Sequence, residues 1–518
     1  MDDRKKLGRR ALLQGMGATA GATLLLPARV RAATPGPRHG GTLHVSMPYN
    51  PAALDPMTGR NLPDFNTLYA IFDALIDYDP PTLDLKPGLA KAWRFTDPKT
   101  LVLDLVEGVE FHDGTRFDAD AAKFNLDRYL HDPRSNVKSD IAAIKSIAVT
   151  GKNQIAILLN KPNSGLPAIL TNRVGLMVSP TSIKTKGPNV DRHPVGTGPF
   201  KFVGWQDNDK ITLARNGNYW RAGLPYLDGI ELRIISELNT AARTVTGGQA
   251  DIALNIGAQQ KIVADRVGGG VVSYVNPSLT FFGAFLNYGQ GPLIDVRLRQ
   301  ALNYAVDREV LNKILNYGLG EPTSTIMPRS FWACDPATAG FYTHDPDRAR
   351  KLVADAGHAG GIQLEGWGWP DQSSMQRQEL IVSQLAQAGI HLNLVPAAPP
   401  QAMEGFMIKK QRALLISPQG ALPDPSQIYE RLFAADALRN AGGVELSGFR
   451  PLLDATAEAQ DRPARKQAFA KLQRFVVEQA MELPQFIAPA ITLASPKVKN
   501  YVDGLLGTPK FTDVWLEA

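Results

Sequence analysis

The chain has 518 residues, 44% of them apolar and 20% charged, which excludes an intrinsically disordered protein and is too long for a single hydrophobic core. Its formal charge of +6 is concentrated at the start: residues 1–33 hold seven Lys or Arg against Asp2 and Asp3, and the remainder carries a formal +1. That nearly neutral body excludes a nucleic-acid footprint, and a single cysteine, Cys334, excludes an intramolecular disulfide and a cysteine zinc cluster.

Residues 1–33 read as an export signal, with a basic start, a Gly/Ala-rich apolar run over 11–26 and a small-residue end at Val30-Arg31-Ala32-Ala33. The run is shorter than the ~20 residues a membrane span needs. Gly8-Arg9-Arg10-Ala11-Leu12-Leu13 resembles a twin-arginine signal, with Ala11-Leu12 where x-Phe is usual. Twin-arginine or general export machinery is therefore an expected partner. No cysteine stands near the end of the signal to carry a lipid, so the mature protein is expected in the periplasm, soluble and not a lipoprotein.

Alternation over 41–47 predicts a strand, 48–63 a loop, and the spacing of Leu68, Ile71, Phe72 and Leu75 a helix over 65–75. Hairpin strands follow over 90–106. An amphipathic helix is predicted over 119–130 with Asp118 as its cap, then a strand over 147–159. Gly196-Thr197-Gly198-Pro199 is a tight turn that opens locally paired strands through Ile235. These glycines are no phosphate cradle, because neither Gly-Lys-Ser/Thr nor a dinucleotide fingerprint follows. The apolar run 279–287 predicts a strand buried on both faces. Asp295 caps a long helix whose stripe runs Leu298, Ala301, Leu302, Ala305, Val310, Ile314. Asp345-Pro346 opens a helix closed by Gly357. Helix–strand alternation then continues through strands at 362–367, 391–395, 413–416 and 486–492, as in a doubly wound α/β domain.

No catalytic set is present in this pattern. The Gly-x-Ser-x-Gly elbow is absent, the eight histidines are scattered, and His112-Asp113 reads as a turn. No catalytic residues, metal ligands or cofactors are accordingly expected.

The segment VGTGPF, NGNYW and LPYLDGIELRII, starting at Val195, resembles the signature of the solute-binding proteins of peptide, nickel and opine ABC importers (family 5, dipeptide- and oligopeptide-binding-like). His112-Asp113-Gly114-Thr115-Arg116-Phe117-Asp118-Ala119, Gly248-Gln249-Ala250-Asp251-Ile252-Ala253 and the run from Val296 to Asp307 are similar to three further stretches of that family, in the family's order. The resemblance covers the chain beyond its first forty residues. It implies an α/β, two-lobed periplasmic binding protein fold (type II, cluster C-like) with an extra α+β domain inserted in the first lobe. By that resemblance domain I holds 34–75, 194–278 and 491–518, domain II the insertion 76–193, and domain III 279–490. A monomer that delivers a small-molecule ligand to an ABC permease complex in the inner membrane is the implied function. A periplasmic hydrolase or a sensory binding protein on the same scaffold is the alternative.

A binding cleft needs aromatic platforms and a few placed polar groups. Trp367, Trp369 and Asp371 follow a predicted strand, at the carboxyl end where open α/β sheets take ligands. Gln419 follows another such strand. Tyr49, Arg60 and Phe65 come from the early loop, and Arg173 is a lone charge suited to a carboxylate. In the dipeptide binders of the family, an aspartate four residues before the Pro of an Asp-Pro step holds the peptide amine; that position is Ala421 here, and the family's carboxylate-holding arginine falls near Gly368. A free, unmodified dipeptide is therefore not the expected ligand.

Overall fold

Strand Thr42–Met47 buries Leu43, Val45 and Met47, the face its alternation predicts. It is taken from a computed structural model that describes residues 36–518 except 60, 61, 269, 421 and 518; the expected export signal lies outside the described residues. The strand runs parallel to Gly229–Ile234 on one side and to Ile252–Ala253 on the other. Lys210–Arg215 and then Phe200–Gln206 extend the sheet antiparallel to that edge. The four parallel and antiparallel pairings account for the patterned stretch from Phe200 to Ile234 as one layer.

That layer continues without a break into a sheet of eleven strands. Ile252–Ala253 pairs with the long strand Glu482–Ala494, which pairs along most of its length with Val272–Leu286. Beyond them lie Leu414–Gln419, Ile362–Gly368 and Ile390–Pro396. The sheet is mixed, because Ile362–Gly368 is parallel to both neighbours while the two long strands are antiparallel. Midway along the long pair Pro277 faces Pro489, and the register shifts before Phe281. Neither proline has an N–H to give the ladder.

The glycine turn works by close approach. The Gly198 amide donates to the Ile71 carbonyl at 2.9 Å, the Gly196 carbonyl accepts from the His112 amide at 2.8 Å, and a Cβ on either glycine would run into the Ile71 peptide. Asp73 gathers the same signature: its buried carboxylate accepts from Thr197 Oγ1 at 3.1 Å, Tyr219 OH at 2.8 Å and Trp220 Nε1 at 2.8 Å. Burial pushes that carboxyl up, against the pull of Arg221 and these donors.

Residues 90–159 build a separate four-stranded antiparallel sheet, ordered Ala90–Asp97, Thr100–Leu105, Gln154–Leu159, Ile144–Gly151. Helix Ala119–His131 packs on it, capped by the Asp118 side chain on the Ala121 amide at 3.1 Å. Its apolar residues, with Leu126, Tyr129, Leu103 and Ile157 at the centre, form a core distinct from that of the large sheet.

Three expectations are corrected. The stretch 147–159 is a hairpin of two strands rather than one, turning at Lys152-Asn153. The long helix after Asp295 is two helices, Val296–Ala305 and Arg308–Asn316. The break comes at Asp307, whose side chain caps the second helix on the Val310 amide at 3.0 Å, while the buried Arg308 guanidinium takes the Asn303 carbonyl at 2.9 Å. Val310 and Ile314 consequently face solvent. The helix predicted over 65–75 runs instead over Leu62–Ile71, and the segment after it turns to meet the glycine loop.

Candidate ligand-binding cavity

The sheet's long strands meet the cavity at the point where their ladder is irregular: Ser278 and Thr280 on one, Ala488, Pro489 and Ala490 on the other. The cavity volume is about 450 Å³, within the range of small-molecule sites. One wall comes from the first half of the chain, with Phe65 on helix Leu62–Ile71, Asp140, and Arg173 after the short helix Leu166–Ile169. The opposite wall comes from the end of strand Leu414–Gln419 and from helix Pro425–Phe433, with Gln419, Gln427, Arg431 and, beyond the helix, Arg439. Side chains far apart in sequence therefore face one space.

The electrostatics are uneven. Asp140 stands between two guanidinium groups from opposite walls, 3.8 Å from Arg173 Nη2 and 3.6 Å from Arg431 Nη2. Burial lifts its carboxyl above the usual range, and the two arginines pull it back. Arg173 is 9% exposed, donates to the Gly59 carbonyl and lies 5.3 Å from the Phe65 ring centre. Arg439 has a different setting. Its guanidinium carbon is 5.4 Å from the Phe285 ring, and among the described residues it has neither a hydrogen-bond acceptor nor an ion-pair partner. Burial, with Arg431 nearby, brings its pKa down to about 10, so it keeps its charge at neutral pH. Glu482 is the acid that acts on it, and burial pushes that carboxyl well up.

Gln419 is 2% exposed; its Nε2 donates to the Gly420 carbonyl at 2.9 Å, and its Oε1 is buried without a partner. This wall presents a buried amide acceptor without a partner and a half-buried guanidinium without an ion pair, which together suit a group carrying both a donor and an anion.

Of the residues singled out from sequence, Phe65, Arg173 and Gln419 line this cavity. Arg60 and Ala421 lie outside the described residues. Tyr49 is 63% exposed and stands apart from it. Trp367 is buried in the core instead, its ring against Gly405 and under the Arg412 guanidinium at 4.5 Å. Trp369 packs at the edge of the same core, its backbone carbonyl accepting from Gln378 Nε2 at 2.8 Å. Asp371 caps helix Gln372–Gln387 on the Ser374 amide at 3.0 Å, and Gly368 makes room for the Gln378 amide. His112 holds the glycine turn, with Nε2 2.9 Å from the Gly198 carbonyl and Nδ1 accepting from the Gly196 amide at 3.3 Å. Asp140, Arg431 and Arg439 were not singled out. The only local signal for the two arginines is their place shortly after Asp424-Pro425, Arg431 on a helix whose other face is buried and Arg439 in the segment beyond it.

Comparison with known proteins agrees with this architecture. The family model for bacterial extracellular solute-binding proteins, family 5 Middle, matches residues 84–438. The chain is similar to the glutathione-binding protein GsiB of Shigella flexneri serotype 5b (strain 8401), 30% identical over 352 residues that cover 67% of this chain and 68% of that protein. It is likewise similar to GsiB of Escherichia coli (strain K12), 30% identical over 355 residues, 67% of each chain. Among solved structures, the ABC transporter-associated periplasmic binding protein DppA from Helicobacter pylori, in complex with peptide STSA, superposes with a TM-score of 0.81 at 22% identity, covering 93% of this chain and 99% of that one. AgaA from A. tumefacien R10, in complex with agropinic acid, gives 0.80 at 22% identity, covering 92% and 99%.

Proposed function

Because the chain belongs to the bacterial extracellular solute-binding proteins of family 5, we propose that it is a periplasmic receptor that takes a small peptide-like solute in the 450 Å³ cavity and hands it, unaltered, to an ABC permease. Its fold is that family's two-lobed α/β architecture. On this reading 34–75, 194–278 and 491–518 form the first lobe, 76–193 its inserted domain, and 279–490 the second lobe. The protein works as a monomer, exported through a signal in 1–33 and free of lipid.

The observation that carries the reading is the pairing of walls: Phe65 and Arg173 face Gln419 and Arg431 across one space. A solute touching both walls binds the closed form alone, and that differential affinity shifts the population towards closure. About 5.5 kcal/mol of it takes a 1:99 equilibrium to 99:1, which a micromolar ligand at about −8 kcal/mol can supply. The solutes bound by the relatives, glutathione and agropinic acid among them, put carboxylate-bearing, peptide-like compounds first in order of trial. The hydrolase alternative draws no support from those relatives.

Calorimetric titration with glutathione, opines and short peptides tests the proposal, followed by mass spectrometry of the recovered solute. Saturable binding and an unchanged mass are expected. Absence of binding across the panel, or a cleaved product, overturns it.

A further inference from the structure

The cavity lining is cationic. Three arginines, Arg173, Arg431 and Arg439, face a single lining acid, Asp140. Asp140 is already shared between Arg173 and Arg431, at 3.8 and 3.6 Å. Arg439 is left over, with a guanidinium that no acceptor among the described residues meets. Arg439 is half-buried, and the acid that acts on it, Glu482, does not line the cavity; the five donors of its guanidinium match a planar pair of anionic oxygens.

Resting on the receptor reading above, we infer that the solute is an acid with more carboxylates than amines, one carboxylate docking on Arg439 and an N–H of the same solute donating to Gln419 Oε1. Arg439 and Gln419 both lie on the wall formed after strand Leu414–Gln419, so one end of the solute is held by that wall before the other wall meets it. Asp140 being engaged by two cations, the cavity offers a free ammonium group no unshared acid. A zwitterionic dipeptide or a basic peptide leaves Arg439 uncompensated. Inorganic phosphate shares the anionic oxygens, and its P–OH can donate to Gln419, so it is tested apart from the acidic peptides.

The test uses the full mature protein and an equimolar synthetic library of acidic, neutral and basic di- and tripeptides, read by native mass spectrometry, with inorganic phosphate as a separate arm. Wild type is expected to enrich members with net charge −1 or lower. Arg439→Gln should weaken their binding about 30-fold or more, with Arg439→Lys intermediate, while the ligand-free melting temperature of Arg439→Gln stays level or rises because an unpaired cation has been removed. Enrichment of neutral or basic members, or equal capture by Arg439→Gln, overturns this inference and leaves the receptor reading standing. Phosphate binding as tight as that of the best peptide also overturns it. Capture of no member at all overturns the peptide-like reading and the inference with it.

Discussion

Gly165 and Asp424 meet so closely that a Cβ on the glycine would stand 2.6 Å from the carboxylate. Asp424 cannot yield, because it is fully buried, caps helix Pro425–Phe433 on the Ser426 amide at 3.0 Å and holds Arg465 Nη2 at 3.0 Å. Around this point residues 160–165 are stitched to the helices of the other wall: the Ser164 amide donates to the Ala457 carbonyl at 2.9 Å, and Lys161 lies 3.7 Å from Asp454. The seam borders the cavity but lines none of it. Gly165→Ala should therefore hold the walls apart without touching the solute. Overpacking of this kind costs about 1–3 kcal/mol, or about 5- to 150-fold in affinity. Calorimetry with the best-binding acidic peptide and small-angle scattering of the saturated protein check it. The variant should bind more weakly and keep a larger radius of gyration when saturated; wild-type values for both would refute the role of the seam.

Arg128 and Asp55 form a buried ion pair beneath the helix Ala119–His131, with Nη1 3.1 Å from Oδ1 and the second nitrogen on Oδ2. Asp55 is wholly buried and also takes the Met57 amide at 3.1 Å. Removing one partner leaves a buried charge uncompensated, so Asp55→Ala should lower stability by about 3–5 kcal/mol in urea unfolding. The double change Asp55→Leu with Arg128→Met should recover much of the loss. If the double variant is as unstable as the single one, the pair matters for more than its charge.

His112 is neutral in the folded state. Burial brings its pKa down to about 4, against the Gly198 carbonyl bond that favours the cation. The unfolded chain binds the proton below about 6.5, so this residue's stabilisation is complete above that value and drains away as pH falls towards 4. The loss amounts to about 3 kcal/mol at 1.36 kcal/mol per pH unit. Urea midpoints from pH 7 to 4 should fall less steeply in His112→Ala than in wild type, although the variant starts lower.

Asp503 works the other way over the same interval. Burial raises its carboxyl to about 6, while the Gly504 amide at 2.9 Å and Thr492 Oγ1 at 3.3 Å act to lower it. The folded state then holds a proton that the unfolded state has lost above about 3.9, so stability from this group is full below that pH and is lost as pH rises through 6, by roughly 3 kcal/mol. Asp503→Asn should remove this decline and be more stable than wild type at pH 8. Because His112 and Asp503 have opposite signs, their slopes largely cancel in wild type, and only the separate variants expose them. A wild-type slope unchanged in both variants would count against the two assignments.

Much of the framework is written locally. Asp118, Asp295 and Asp345 are legible as caps because a short acceptor before a helical stripe has few other uses, and each does cap its helix. Gly196 and Gly198 are legible as a tight turn, and their reason is the Ile71 peptide against them. The break at Asp307 was not legible, since Val310 and Ile314 continue the apolar spacing although they face solvent; what ends the first helix is a second cap and the buried Arg308, a tertiary choice. The cavity was half legible. Phe65, Arg173 and Gln419 stand out as an aromatic, a lone charge and a strand-end amide. Trp367 and Trp369 stand out just as clearly and go into the core, because ring size alone does not say which face a strand presents. Arg431 and Arg439 carry little local mark beyond following Asp424-Pro425: Arg431 is distinguished by Asp140, which reaches it from the first half of the chain, and Arg439 by the want of an ion-pair partner among the described residues.

The facing prolines of the two long strands have a mechanical consequence. A ribbon bends where its rungs are missing, and here two donors are absent opposite one another. Ser278, Thr280, Ala488, Pro489 and Ala490, the residues flanking that gap, form the floor on which a guest would rest. On the proposed receptor function, a guest resting there lies beside the weakest stretch of the ribbon that joins the two walls, so lobes closing about that stretch would move their distant rims further than they move the guest.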